Sequence, residues 1–221
     1  MRNAFVLTAA FAAGTASAQV QITEIYPGIS GADGTNDWFE VTNTSGASFD
    51  TGNLFWDDDS PNQLDGGALD SFILAPGESA VFLIADDLTD VTDDVNFSNA
   101  ITEFESVWGV IPNVGITNGG GGLSQNGDSV NLSLDGGSSF PISLVFGSGF
   151  ANSGATIDST GALADSVLGV NGAFQSNSFF NDSIGDANDQ FSLIGSPGTI
   201  PAPASIALLG LSGLVAGRRS R

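Results

Sequence analysis

Short apolar runs recur along this chain, bounded by Gly, Asn, Asp and Ser, and in places apolar and polar residues alternate with a period of two. In "SVNLSLDGG", Val130, Leu132 and Leu134 alternate with Asn131, Ser133 and Asp135. That is the pattern of a half-buried strand entering a turn. Comparable runs at residues 20–26, 38–43, 53–56, 71–74, 80–85, 129–134, 142–146 and 190–194 predict strands. Glu103 and Glu105 flank Phe104, which on a strand puts both carboxylates on the polar side. Pro76-Gly77 suits the centre of a type II turn, with Pro fixing φ and Gly supplying the positive φ. Helix-period patterns are scarce. The spacing of the strands predicts an all-β fold, a two-sheet sandwich. Residues 86–102 and 147–188 fall outside the pattern and are expected to be loop insertions. Within the second, Phe174, Phe179 and Phe180 are positioned to cover a sheet edge.

Composition narrows what this sheet presents to its surroundings. The 221 residues carry 25 Asp and Glu against 4 Lys and Arg, with no His and no Cys. The basic residues are Arg2, Arg218, Arg219 and Arg221, all terminal, so residues 19–199 contain no formal cation. Such a surface repels phosphate backbones, so nucleic-acid binding is disfavoured unless metal ions bridge, and no nucleic-acid partner is expected. The charge does not imply disorder, because 41% of residues are apolar and 16 are Phe, enough for a packed core. The acids then form a solvated shell that keeps the molecule soluble.

The missing residue types exclude most enzyme chemistry. Without His or Lys in the body there is no Ser-His-Asp triad, Schiff base or His-ligated zinc. Carboxylate pairs remain, as glycosidases use them, and the candidates are Glu24 with Glu40 or Glu103 with Glu105. Hard cations are the other chemistry available, since Ca²⁺ takes oxygens from Asp, Glu, Asn and carbonyls. "WDDDSPNQLDGG" supplies Asp57, Asp58, Asp59, Asn62 and Asp65, and "ADDLTDVTDD" supplies Asp86, Asp87, Asp90, Asp93 and Asp94. Asp57, Asp59, Asp65, Asp86, Asp90 and Asp93 are therefore the calcium candidates, against the plainer possibility of solvated acidic loops. Neither stretch has EF-hand spacing. "NGGGGL" at residues 118–123 lacks the Lys and Ser/Thr of a phosphate-binding loop and predicts a turn.

The two ends carry transport signals. A single Arg, an apolar run at residues 4–13 and then Ala16-Ser17-Ala18 make a signal peptide over residues 1–18. Ala16 and Ala18 define the cleavage site for signal peptidase. At the other end, residues 204–217 are uncharged and largely apolar, preceded by Pro201-Ala202-Pro203 and followed by Arg218, Arg219 and Arg221. A helix of that length rises about 21 Å, short of the roughly 30 Å hydrocarbon core. Arginines beyond an apolar segment stay cytoplasmic, so the exported chain is expected to pause in the inner membrane, body outside and tail inside.

"PAPASIALLGLSGLVAGRRSR" resembles the PEP-CTERM sorting signal, with Ala202 standing where that motif has Glu. The resemblance, over residues 200–221, implies an exosortase-like processing enzyme and release or anchoring at the cell surface, often alongside exopolysaccharide. "VQITEI", "DWFEVTNTSGASFD", "LAPGESAVFL", "LSQNGDSVNLSLDGG" and "FSLIGSPG" are together similar to the lamin-tail domain, an immunoglobulin-like sandwich, over residues 20–198. A Glu is usual where Glu40 stands, which implies a structural carboxylate accepting hydrogen bonds from a turn. The expectation is an exported, surface-sorted, non-enzymatic bacterial protein of adhesive or matrix role, in contact with extracellular polysaccharide or surface proteins. The alternatives are a calcium-dependent glycan- or protein-binding module and a carboxylate hydrolase of extracellular polysaccharide.

Overall fold

Short runs rich in β-branched and aromatic residues pair readily as strands, and they do so throughout a computed structural model of the chain. It describes residues 19–28, 35–62, 64, 66–84, 94–119, 121–149, 154–181 and 190–199. The first strands are β1 (Val20–Tyr26), β2 (Trp38–Asn43), β3 (Phe49–Asp50), β4 (Phe55–Asp57), β5 (Gly67–Leu69), β6 (Ile73–Leu74) and β7 (Ser79–Leu83). After helix α1 (Asp94–Trp108) come β8 (Val114–Asn118), β9 (Gly127–Ser133), β10 (Ile142–Gly147), β11 (Ile157–Asp158), β12 (Ala164–Asp165), β13 (Phe174–Asn181) and β14 (Gln190–Gly195). The class is all-β.

Ten strands join in the order β10-β9-β4-β5-β8-β7-β2-β1-β11-β12, while β13 pairs with β14 and β3 with β6. The hydrogen-bonded sheet is thus continuous, with β8 linking its two halves, and it curls until β10 lies against β1. Within the curl Phe39, Val41, Trp56, Leu74, Phe82, Val130, Leu132 and Ile157 form the main core.

One pair, β7 with β8, runs parallel. A parallel pair needs a crossover of a dozen or more residues, commonly a helix, and α1 is that crossover. It lays Phe104, Val107 and Trp108 over Tyr26, Trp38, Val81 and Leu83, a second core on the outer face of β1, β2 and β7. Trp38 meets Phe104 and Trp108 edge-on at centroid distances of 5.8 and 6.0 Å, a favoured aromatic geometry. Both faces of β2 and β7 are consequently buried.

Several expectations are corrected here. Residues 94–102 belong to a helix rather than a loop, and Glu103 and Glu105 lie on that helix, not on a strand. Two residues apart on a helix, their side chains do not face each other. The stretch at residues 147–188 contributes β11, β12 and β13. Two of these extend the main sheet, and Phe174 stacks edge-on against Trp108 at 5.6 Å. Strand β9 is covered on both faces, with Asn131 and Ser133 buried as well as Val130 and Leu132, while Leu134 lies beyond it and is exposed. The Pro76-Gly77 turn forms as expected: Gly77 has φ of 85° and the Glu78 amide donates to the Ala75 carbonyl at 2.9 Å.

Candidate functional site: a buried carboxylate latch

Period-two alternation puts Trp38, Glu40 and Thr42 on the same face of β2. Trp38 belongs to the core beneath α1, so Glu40 continues toward the same covered layer. Glu24 of β1 is the register partner of Glu40, next to an irregularity between Ile22 and Glu24. Both carboxylates are 1% exposed, and no cation exists in the body to neutralise them.

Hydroxyls and amides take that place. Thr23 donates to Glu40 Oε1 at 2.6 Å, and the Thr23 hydroxyl is bonded to that of Thr42 (2.8 Å), which is bonded to Ser79 (2.7 Å). On the other side the Thr156 hydroxyl donates to Glu24 and is itself bonded to Ser166 at 2.7 Å. The remaining partners come from the chain just after β14. The Ser196 amide donates to Glu24 Oε1 at 2.7 Å, the Ser196 hydroxyl to Glu24 Oε2 at 3.1 Å, and the Gly198 amide to Glu40 Oε2 at 2.6 Å.

Ser196-Pro197-Gly198-Thr199 is itself a turn, closed by the Thr199 amide on the Ser196 carbonyl at 2.9 Å. Pro presets φ, and Gly198 supplies the φ of 71° that an L side chain avoids. The turn frees the Ser196 and Gly198 amides to point at the two acids. Gly195 is needed for a different reason: a methyl group there would stand 2.9 Å from Glu24 Oε1 and from the Trp108 ring, and 2.7 Å from Thr156.

Burial dominates the titration of the pair. It pushes Glu24 up to about 7, against hydrogen bonds from Thr156 and Ser196 that favour the anion, with Asp158 adding a small upward push. Burial likewise pushes Glu40 up to about 8, reinforced by the charge of Glu24 and opposed by Thr23, Gly198 and Ser79. Values near neutrality suit general acid–base work. Geometry does not, since every carboxylate oxygen already faces a protein donor and both groups lie beneath the surface. The arrangement binds the chain's own segment, Ser196 to Gly198, into the sheet.

The calcium candidates are distributed differently. Asp57, at the end of β4, is buried and accepts from the amides of Asp58 (3.1 Å) and Asn62 (2.5 Å). Asp58 is raised by burial and by Asp57, Asp128 and Asp59, although the Ser60 amide favours its anion. Asp128 accepts from the amides of Ser124 and Ser129, both at 2.7 Å. Among the described residues no group of three or more acids is arranged to hold a metal ion. Asp65, Asp86, Asp90 and Asp93 lie outside the described residues, as do Ala16, Ala18, Pro201, Ala202, Pro203, Arg218, Arg219 and Arg221. Among the described residues no helix is long and apolar enough to cross a membrane.

Pairing of Glu24 with Glu40, and a turn as partner of Glu40, were both legible from sequence. The hydroxyl chains were not, because Thr156 is 132 residues from Glu24 and nothing local marks it. Pro197-Gly198 was the available signal for the latching turn. No family model, curated protein or solved structure matches the chain.

Proposed function

We propose that this chain is an exported, surface-sorted, non-enzymatic domain of adhesive or matrix role, a lamin-tail-type immunoglobulin-like sandwich whose two layers are joined at β8. The observation that carries the reading is the latch. Two buried carboxylates grip Ser196 and Gly198, in the turn that precedes the Pro-Ala-Pro motif and the apolar tail in the sequence. A pull applied through that tail is met first by the buried hydrogen bonds from the Ser196 and Gly198 amides to the two acids inside the sheet. A domain tethered at its C-terminus needs its exit point secured in this way.

The same observation weakens the hydrolase alternative at this pair, whose oxygens are all engaged. Mass spectrometry of the protein recovered from its native cell surface tests the reading. The expected result is an N-terminus at Gln19 and a C-terminus processed within or after the Pro201–Pro203 motif. An intact Met1, or a tail retained in full on surface-exposed protein, overturns it.

A further inference from the structure

Gly198 and Thr199, which precede the tail in the sequence, lie between two loops that display apolar side chains. Gly172 packs against Thr199, where a methyl group on the glycine would lie 3.0 Å from the threonine side chain, and Gly198 lies directly against Ile111. Beside these contacts stand Val110, Val167, Leu168 and Val170, exposed by 85%, 59%, 57% and 50%. The second loop is held by its own hydrogen bonds: Val170 N–H to Val167 O, Gly169 N–H to Ala173 O and Ala173 N–H to Val170 O, each 2.8 Å. Asn171 fastens it to β11 through the Asp158 carboxylate at 2.7 Å. The first loop follows the last turn of α1, where the Gly109 amide closes on Glu105 O at 2.8 Å. Large apolar side chains fixed in water by two such loops, both next to the same exit point, need a partner.

We propose that Val110, Val167, Leu168 and Val170 form a collar that rests on the lipid bilayer around the emerging tail; this builds on the reading that residues 204–217 enter the membrane. The length of chain available selects this occupant. From Thr199 to Ala204 the backbone spans at most about 18 Å fully extended, so the exit face cannot stand far from the hydrocarbon that Ala204 enters. An apolar loop held at that depth transfers its side chains from water to the acyl boundary. Charge plays no attractive part. Asp158 and Asp165 stand on the neighbouring strands, and the body has no Lys or Arg to engage anionic headgroups. The contact is therefore apolar and favours zwitterionic lipid.

The chain contains no Cys, so single cysteines report position directly. The exported chain with its tail intact is reconstituted in phosphatidylcholine vesicles, bearing an environment-sensitive fluorophore on Leu168→Cys, Val110→Cys or Leu64→Cys. Leu64, equally apolar and exposed, lies on the β4–β5 connection. Brominated acyl chains are expected to quench the probes at 168 and 110 and leave the probe at 64 bright. Equal emission at all three sites in protein that floats with the vesicles overturns the collar and leaves the membrane tail standing. Protein that does not float overturns both. Probes at 168 and 110 shielded from water yet unquenched by bromolipid show the chain's own tail covering the loops, which also overturns the bilayer as occupant.

Discussion

Glu40 carries a charge problem that the rest of the molecule cannot solve with a cation. In the unfolded chain Glu24 and Glu40 ionise near 4.5, whereas in the folded protein they rise to about 7 and about 8. Between those limits the folded state holds protons that the unfolded state has released, so stability falls as pH rises from about 4.5 to about 8. Thermal melts of the wild type should therefore give a higher Tm at pH 5 than at pH 8. Glu40→Gln keeps an acceptor for the Gly198 amide without the charge. It should flatten that slope, losing little at pH 5 and gaining at pH 8; an unchanged slope would show that the pair does not govern it. Gly195→Ala tests packing at the same place. With 2.9 Å or less to Thr156, Glu24 and Trp108, the added methyl should cost about 1–3 kcal/mol, measured by denaturant unfolding. How far such sites are legible depends on sequence distance. The cross-strand acids follow from two adjacent strand patterns, whereas the approach of Gly195 to Trp108 depends on a helix and a terminal strand meeting in three dimensions.

Helix α1 shows where pattern and fold diverged at the scale of elements. Glu103-Phe104-Glu105 satisfies a two-residue period over three positions, which is too short to discriminate. Ala100, Phe104, Val107 and Trp108, all buried, stand at i, i+4, i+7 and i+8, the stripe of a helix packed on one face. That longer stripe was present in the sequence. Strands β1 and β2, rich in β-branched and aromatic residues between turn residues, were legible to the residue. Two-residue strands such as β11 and β12 carry no periodicity and exist only through their neighbours. The helix is held mainly by Phe104, fully buried and edge-on to Trp38. Phe104→Ala should cost about 3–5 kcal/mol. It should also undock α1, seen as loss of helical signal in circular dichroism below the main unfolding transition. A single cooperative loss of helix and sheet would instead make α1 integral to the main core.

Across the whole molecule the governing quantity is a net charge of −21 with no compensating cation in the body. Self-repulsion of this kind weakens the compact state, and sodium chloride should raise Tm until the Debye length reaches about 8 Å near physiological ionic strength. Calcium at matched ionic strength separates screening from a site, because a specific ion raises Tm progressively with its free concentration. The Asp57 and Asp128 carboxylates are already engaged by backbone amides, so the stretch around Asp57 and Asp59 has little free oxygen geometry to offer. Asp57→Asn with Asp59→Asn should lower the baseline Tm, since Asp57 is buried, but leave any calcium increment unchanged. Asp86→Asn with Asp90→Asn should abolish the increment, because the acids of that stretch, closely spaced in the sequence, repel one another and only an ion relieves them where no Lys or Arg is near. Equal melting temperatures in calcium and sodium at the same ionic strength would leave both acidic stretches as a solvated coat. An increment removed by the first pair of substitutions alone would move the site to the end of β4.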